Sequence, residues 1–156
     1  MIFKSSYNNG ELAWDIRNFR LVKDETGELG VAEIQKEFDF LIKRIFFLRR
    51  IGQNDVRGFH SHGDLKQLII CLSGSFIIKL DQGIKKTEIK MTANNNCLYL
   101  DGKVWREMHS FSNDSLVLVL CDREYENDDV IRDYDKFLEN LKGVNNERLS
   151  ERVHRV

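Results

Sequence analysis

The chain has 156 residues, 42% hydrophobic and 31% charged, with a formal net charge of −1 and no proline. That size and balance predict one globular domain with a proper core and exclude a disordered chain. The near-neutral charge argues against a nucleic-acid partner, which needs a broad basic footprint, whereas a single phosphate ester needs only a local basic patch. No apolar run reaches bilayer length, and Met1-Ile2-Phe3-Lys4 passes into polar residues without a signal-peptide core, so no membrane contact is expected. Cys71, Cys97 and Cys121 are odd in number and form no CxxC. They are expected to be buried free thiols of a cytoplasmic protein.

In chain order, residues 1–13 carry weak signals and read as an irregular lead-in. Ala13 to Val22 alternates partially and predicts a first strand; Asp24 to Gly30 is a loop with two glycines, and Val31 to Lys36 a second strand. Phe38 to Ile42 and Arg44 to Leu48 are rich in aromatic and β-branched residues and predict two more. Gly52-Gln53-Asn54-Asp55 is a turn. Arg57-Gly58-Phe59-His60-Ser61-His62 follows, then the apolar run Leu68 to Leu72. Ser73-Gly74-Ser75 is expected to turn Phe76 to Leu80 back beside that run as a rigid hairpin, with Asp81-Gln82-Gly83 as its far turn. Ile84 to Met91, Cys97 to Leu100, Val104 to Phe111 and Leu116 to Leu120 complete the strands, the last apolar on both faces and therefore buried.

Nine or ten closely spaced strands without intervening helices predict an antiparallel sandwich or small barrel. Beyond Cys121 the period changes. Val130, Ile131, Tyr134, Phe137, Leu138 and Leu141 fall at helical spacing behind an Asn127-Asp128-Asp129 cap, with Lys142-Gly143 as the stop. Residues 1–142 are thus expected to form one domain, and 143–156 a polar, disordered tail.

The chemistry concentrates around His60 and His62. On a strand they share one face with Gly58, and two imidazoles there are groups that titrate near neutral pH. Burying both beside Arg57 and Gln67 adds desolvation cost that packing alone does not explain. A His-x-His with a following polar residue and glycine resembles the first metal motif of a cupin. Here, however, Gln67 stands at the glutamate position and Arg106 where a third histidine belongs. An amide is a poor ligand for transition metals and a guanidinium is not one, so no metal is expected. His109, the spare imidazole, faces away from Arg106 by parity.

At these residues the sequence resembles the dTDP-4-keto-6-deoxy-glucose 3,4-ketoisomerases, single-domain cupins that are WxcM-like. The matching stretches are Lys43-Arg44-Ile45-Phe46-Phe47, Arg57 to His62, Gln67 to Ser75, Leu98-Tyr99, Val104 to Met108 with Phe111-Ser112, and Tyr125 through Ile131-Arg132-Asp133-Tyr134 to Phe137. Asp24 to Leu29 fits the family's Asp-x-x-Gly-x-Leu. The resemblance spans roughly residues 14–141 in order and spacing.

It implies an all-β cupin double-stranded β-helix, an antiparallel jelly-roll barrel, with one C-terminal helix. It also implies a homodimer with exchanged N-terminal strands. The family works without metal or other cofactor, using the histidine pair that matches His60 and His62. Its substrate is a dTDP-linked keto sugar, isomerised from the 4-keto to the 3-keto form for 3-amino-3,6-dideoxy sugars. Removing the C3 proton leads through an enediolate to protonation at C4, work that the two histidines would divide. Arg57 and Gln67 are expected to stabilise the enediolate, with Arg106 in reserve; Arg44 is expected to clamp the diphosphate and Trp105 to line the base or sugar pocket. Three departures stand out: Phe46 and Phe47 replace tyrosines, Leu100 to Lys103 replaces a Pro-containing turn, and Arg106 replaces a frequent histidine. The alternatives are a non-catalytic cupin that binds a sugar nucleotide or small anion, and a metal-dependent cupin.

Overall fold

A computed structural model describes residues 12–94, 96–127 and 129–153; most of the lead-in, residues 1–11, lies outside them. The strands are β1 (Trp14–Asn18), β2 (Arg20–Asp24), β3 (Gly27–Val31), β4 (Arg44–Arg49), β5 (Arg57–His62) and β6 (Lys66–Ser73). There follow β7 (Ser75–Asp81), β8 (Lys86–Thr92), β9 (Asn96–Asp101), β10 (Trp105–His109), β11 (Leu116–Cys121) and β12 (Val130–Ile131), then helix α1 (Tyr134–Val153). Two antiparallel five-stranded sheets face each other, ordered β1-β9-β6-β11-β4 and β12-β5-β10-β7-β8, with β2-β3 as a separate hairpin. This is the jelly-roll barrel that the strand spacing and the cupin resemblance predict.

The space between the sheets is filled by Ile69, Cys71, Phe76, Ile78, Leu98, Phe111, Val117 and Val119, all nearly inaccessible. The runs in β6 and β11 are apolar on both faces because the outside of their sheet is covered too. Leu68, Ile70 and Leu120 pack there against Phe19, Phe38 and Phe40. Phe38 to Ile42, expected as a strand, supplies that cover: Ile34–Phe38 makes only an isolated bridge, and Val31 to Lys36 has no strand beyond Val31. Burial of aromatic rings overrides strand propensity there. The first expected strand is likewise divided at Phe19, which turns inward beneath Gly30. All three cysteines are buried and free, as expected.

Two other corrections bear on function. β6 and β7 are not a hairpin: β6 pairs with β9 and β11, while β7 pairs with β8 and β10. Ser73-Gly74-Ser75 is a corner between the sheets. Gly74 has φ +67°, and a Cβ there would meet the Ser112 hydroxyl at 2.1 Å, so the close approach requires glycine. Alternation identifies strands but not their partners. Val130 and Ile131, expected on the helix, instead form β12, opposite His62 and Ser61. The helix begins at Tyr134, where Asp133 Oδ1 accepts from the Lys136 amide at 2.9 Å. Asp129, expected in the cap, binds the Gly63 amide at 3.0 Å. α1 also continues past Gly143, the expected stop, to Val153, and the last residues of the expected tail, 154–156, lie outside the described residues. One mid-helix glycine costs only about 1 kcal/mol relative to alanine, and helix-forming Glu, Arg and Leu follow it.

Candidate active site

The histidine strand carries a β-bulge. Against β10, Arg106 lies opposite His60 but Glu107 lies opposite Gly58, leaving Phe59 as the extra residue. Gly58 has φ +94°, and a Cβ there would come within 2.5 Å of the Arg106 carbonyl oxygen; Phe59 has φ +54°. Simple alternation, which groups the histidines with Gly58, therefore fails at this point. The bulge shifts parity so that His60 shares the inward face with Arg106, while Gly58 aligns with the outward Glu107.

His60 and His62 stand edge to face with ring centroids 4.8 Å apart, and His62 is 3% exposed. Burial, followed by the charges of Arg106, His60, Arg44 and Arg132, lowers the His62 pKa to about 2. His62 is therefore a neutral imidazole at any working pH, not one that titrates near neutrality.

The opposing wall comes from the other sheet. Arg44, Cys121 and Gln67 form one cross-strand row over β4, β11 and β6. The Cys121 thiol accepts from Arg44 Nη2 at 3.6 Å and from Gln67 Nε2 at 3.5 Å. Gln67 thereby turns its Oε1 to Arg106 Nη1 at 2.5 Å, while Arg106 Nη2 donates to the Val104 carbonyl at 2.9 Å. Arg106 is 2% exposed. A guanidinium held there by neutral acceptors is suited to an oxyanion. The same donor set is a poor cradle for a divalent ion, since a fixed cation lies across from His60 and an amide stands where a carboxylate would bind.

The structure thus brings together His60, His62, Gln67, Arg106 and Arg44. It does not bring in Arg57, which is exposed at the other end of β5, opposite Met108. Trp105 is also elsewhere: it points out of the barrel, its indole donating to Glu107 Oε1 at 3.0 Å and its ring 5.1 Å from Tyr134. Strand parity puts it on the face opposite Arg106. His109 faces outward as expected, its Nε2 3.9 Å from Glu88. Of the two phenylalanines at tyrosine positions, Phe46 packs toward the core, whereas Phe47 is 56% exposed.

Cys121 and Arg132 belong to the site but do not stand out in the sequence. The parity of Val117, Val119 and Cys121 points the thiol inward, a usable signal. Arg132 follows β12, and an expected helix there hides its proximity to His62.

The family model described as "FdtA: WxcM-like, C-terminal" matches residues 13–142. The chain belongs to this family. A relative of this FdtA-family chain, the TDP-4-oxo-6-deoxy-alpha-D-glucose-3,4-oxoisomerase of Aneurinibacillus thermoaerophilus, is 37% identical over 131 residues, covering 84% of this chain and 94% of its own. Among solved structures, a variant of the 3,4-ketoisomerase QdtA from Thermoanaerobacterium thermosaccharolyticum, in complex with TDP-4-keto-6-deoxyglucose, superposes with a TM-score of 0.80 at 31% identity. That match covers 84% of this chain and 95% of QdtA. A 3,4-ketoisomerase from Helicobacter canadensis gives a TM-score of 0.80 at 35% identity, covering 85% of this chain and 99% of its own.

Proposed function

We propose that this FdtA-family chain is a sugar-nucleotide 3,4-ketoisomerase acting on dTDP-4-keto-6-deoxyglucose. The observation that carries this is the imidazole pair, with centroids 4.8 Å apart, beside a buried guanidinium on the neighbouring strand in a chain 37% identical to a named oxoisomerase. Relatives named as ketoisomerases do not favour a non-catalytic or metal-dependent cupin.

The reaction removes the proton from C3, passes through an enediolate, returns a proton to C4, and moves the hydroxyl proton from O3 to O4. His62 resists protonation because burial and neighbouring cations oppose it. It suits a neutral hydrogen-bonding role at a sugar oxygen. That leaves His60, less deeply buried, to take the carbon-bound proton. Arg106, held by Gln67, is the group to stabilise the enediolate oxygen; such a donor is worth about 2.7–4 kcal/mol. Arg44 and Arg132 are the cations for the diphosphate. No metal or other cofactor takes part in this scheme. Its product serves 3-amino-3,6-dideoxy sugar synthesis in the cytoplasm.

In heavy water, turnover should place deuterium on the hexose ring. His60→Asn should reduce both incorporation and product formation about 10²–10⁴-fold. NMR of the sugar reads both quantities. If His60→Asn and His62→Asn each retain full exchange, the histidines do not carry the chemistry.

The chain is further proposed to work as a homodimer with exchanged N-terminal strands. Ile45, Phe47 and Leu72 support this, being 60%, 56% and 50% exposed on the outer side of the sheet whose edge is β1. Sedimentation should give twice the chain mass; a monomer at micromolar concentration would end the dimer proposal.

A further inference from the structure

The strand that supplies Arg106 to the interior also builds a second concavity on its outer side. A groove of about 680 Å³ lies between the outer face of β5-β10-β7-β8 and the start of α1. Its volume falls in the range of small-molecule sites, about 300–1,000 Å³. The site assembled above uses none of its polar lining.

Two cross-strand rows form the floor. Trp105, Asp81 and Lys86 are register partners in one; Glu107, Lys79 and Glu88 are partners in the other. Lys86 binds Asp81 Oδ2 at 3.0 Å and the Tyr134 hydroxyl at 3.0 Å, and that hydroxyl donates to Asp81, so these three groups satisfy one another, while the Trp105 indole occupies only Oε1 of Glu107 in the second row. The second row alternates acceptor, donor, acceptor across neighbouring strands, whose opposed side chains stand about 5 Å apart. Phe59 forms the wall. It is 45% exposed and sits at φ +54° on the bulge, a backbone conformation costly for a bulky aromatic residue.

The ligand class follows from this lining. An anion such as a nucleoside diphosphate meets three carboxylates against two ammonium groups, one of them already paired. An organic cation is repelled by Lys79 at the centre of the second row. An apolar ligand would strip water from that row without replacing its hydrogen bonds. A neutral polyhydroxylated ring satisfies all of these constraints. Its C–H face stacks on Phe59 above Trp105, and its hydroxyls donate to Glu107 and Glu88 while accepting from Lys79. We propose that this groove is a second, non-catalytic site for a neutral saccharide.

The test uses the full chain labelled with ¹⁵N at the tryptophan indoles, with and without excess TDP. Methyl α-D-glucoside, maltose and tetramethylammonium are titrated separately. Trp14 and Trp105 are the two tryptophans, so Trp14 serves as the internal control. A saccharide is expected to shift the Trp105 indole saturably, with a Kd of about 1–10 mM, and TDP should not displace it. Lys79→Met should weaken binding at least ~10-fold, about 1.4 kcal/mol, while leaving sugar-nucleotide turnover unchanged. Glu107→Gln should weaken it as well, giving a second variant that leaves the bulge intact. The proposal is overturned if the indole does not move up to ~100 mM sugar, a hundredfold above that of a 1 mM site. It is equally overturned if TDP abolishes the shift, if both variants bind normally, or if only tetramethylammonium acts.

Discussion

The two ends of the space between the sheets are lined by the same strands yet differ in character. Toward one end β4, β6, β10 and β11 contribute Leu48, Cys71, Met108 and Val117. Toward the other, the same strands contribute Arg44, Gln67, Arg106 and Cys121, and β5 adds the histidine pair. The first end is an apolar core, in which Phe76 stacks on Phe111 at 5.5 Å. In the second, hydrogen bonds link Arg44, Cys121, Gln67 and Arg106 in one chain, which offsets part of the cost of burying polar groups, about 1–3 kcal/mol for each one left without a partner. Apolar burial therefore concentrates at one end and the proposed chemistry at the other, with the barrel wall common to both.

This contrast can be broken first at the apolar end. Phe76 is fully buried, so Phe76→Ala should cost about 3–5 kcal/mol in urea unfolding, while the folded fraction keeps its turnover. Loss of turnover in a variant that remains folded would mean that the two ends are coupled.

A smaller effect sharpens the polar end. The His62 pKa lies near 2 in the folded chain, below its ordinary 6.5, so the unfolded chain binds the extra proton. Stability is full above about pH 6.5 and falls as pH drops below it, by at most about 1.4 kcal/mol per pH unit. His62→Asn should flatten the urea midpoint between about pH 6.5 and 4.5, a window above most carboxylate titration. An unchanged slope would place the acid sensitivity elsewhere.

The smallest effect is expected far from both ends. Removing residues 143–156 should leave the melting midpoint and turnover essentially unchanged, because the helix anchors through Phe137, buried against Trp105. A large loss would show that the domain extends beyond residue 142.

The sandwich class, most strands and the interior histidines were legible from alternation, since apolar spacing reports which face is buried. So was the outward turn of His109, because β10 is regular from Arg106 to His109. Elsewhere alternation ran out. The grouping of His60 and His62 with Gly58 fails because Phe59 is an inserted bulge residue, visible only once β10 is laid beside β5. Arg57 reads as adjacent to the histidines yet stands apart from them, whereas Arg132, distant in sequence, is carried close by β12.

Residue order alone settled that this chain buries two facing sheets and carries an imidazole pair on one of them, because side-chain period and chemical type are local properties. Which strands become neighbours, where the bulge falls, and that Gln67, Cys121, Arg44 and Arg106 converge on that pair were decided by the folded barrel. These depend on long-range pairing and on the desolvation of charges, and neither is encoded in any short window.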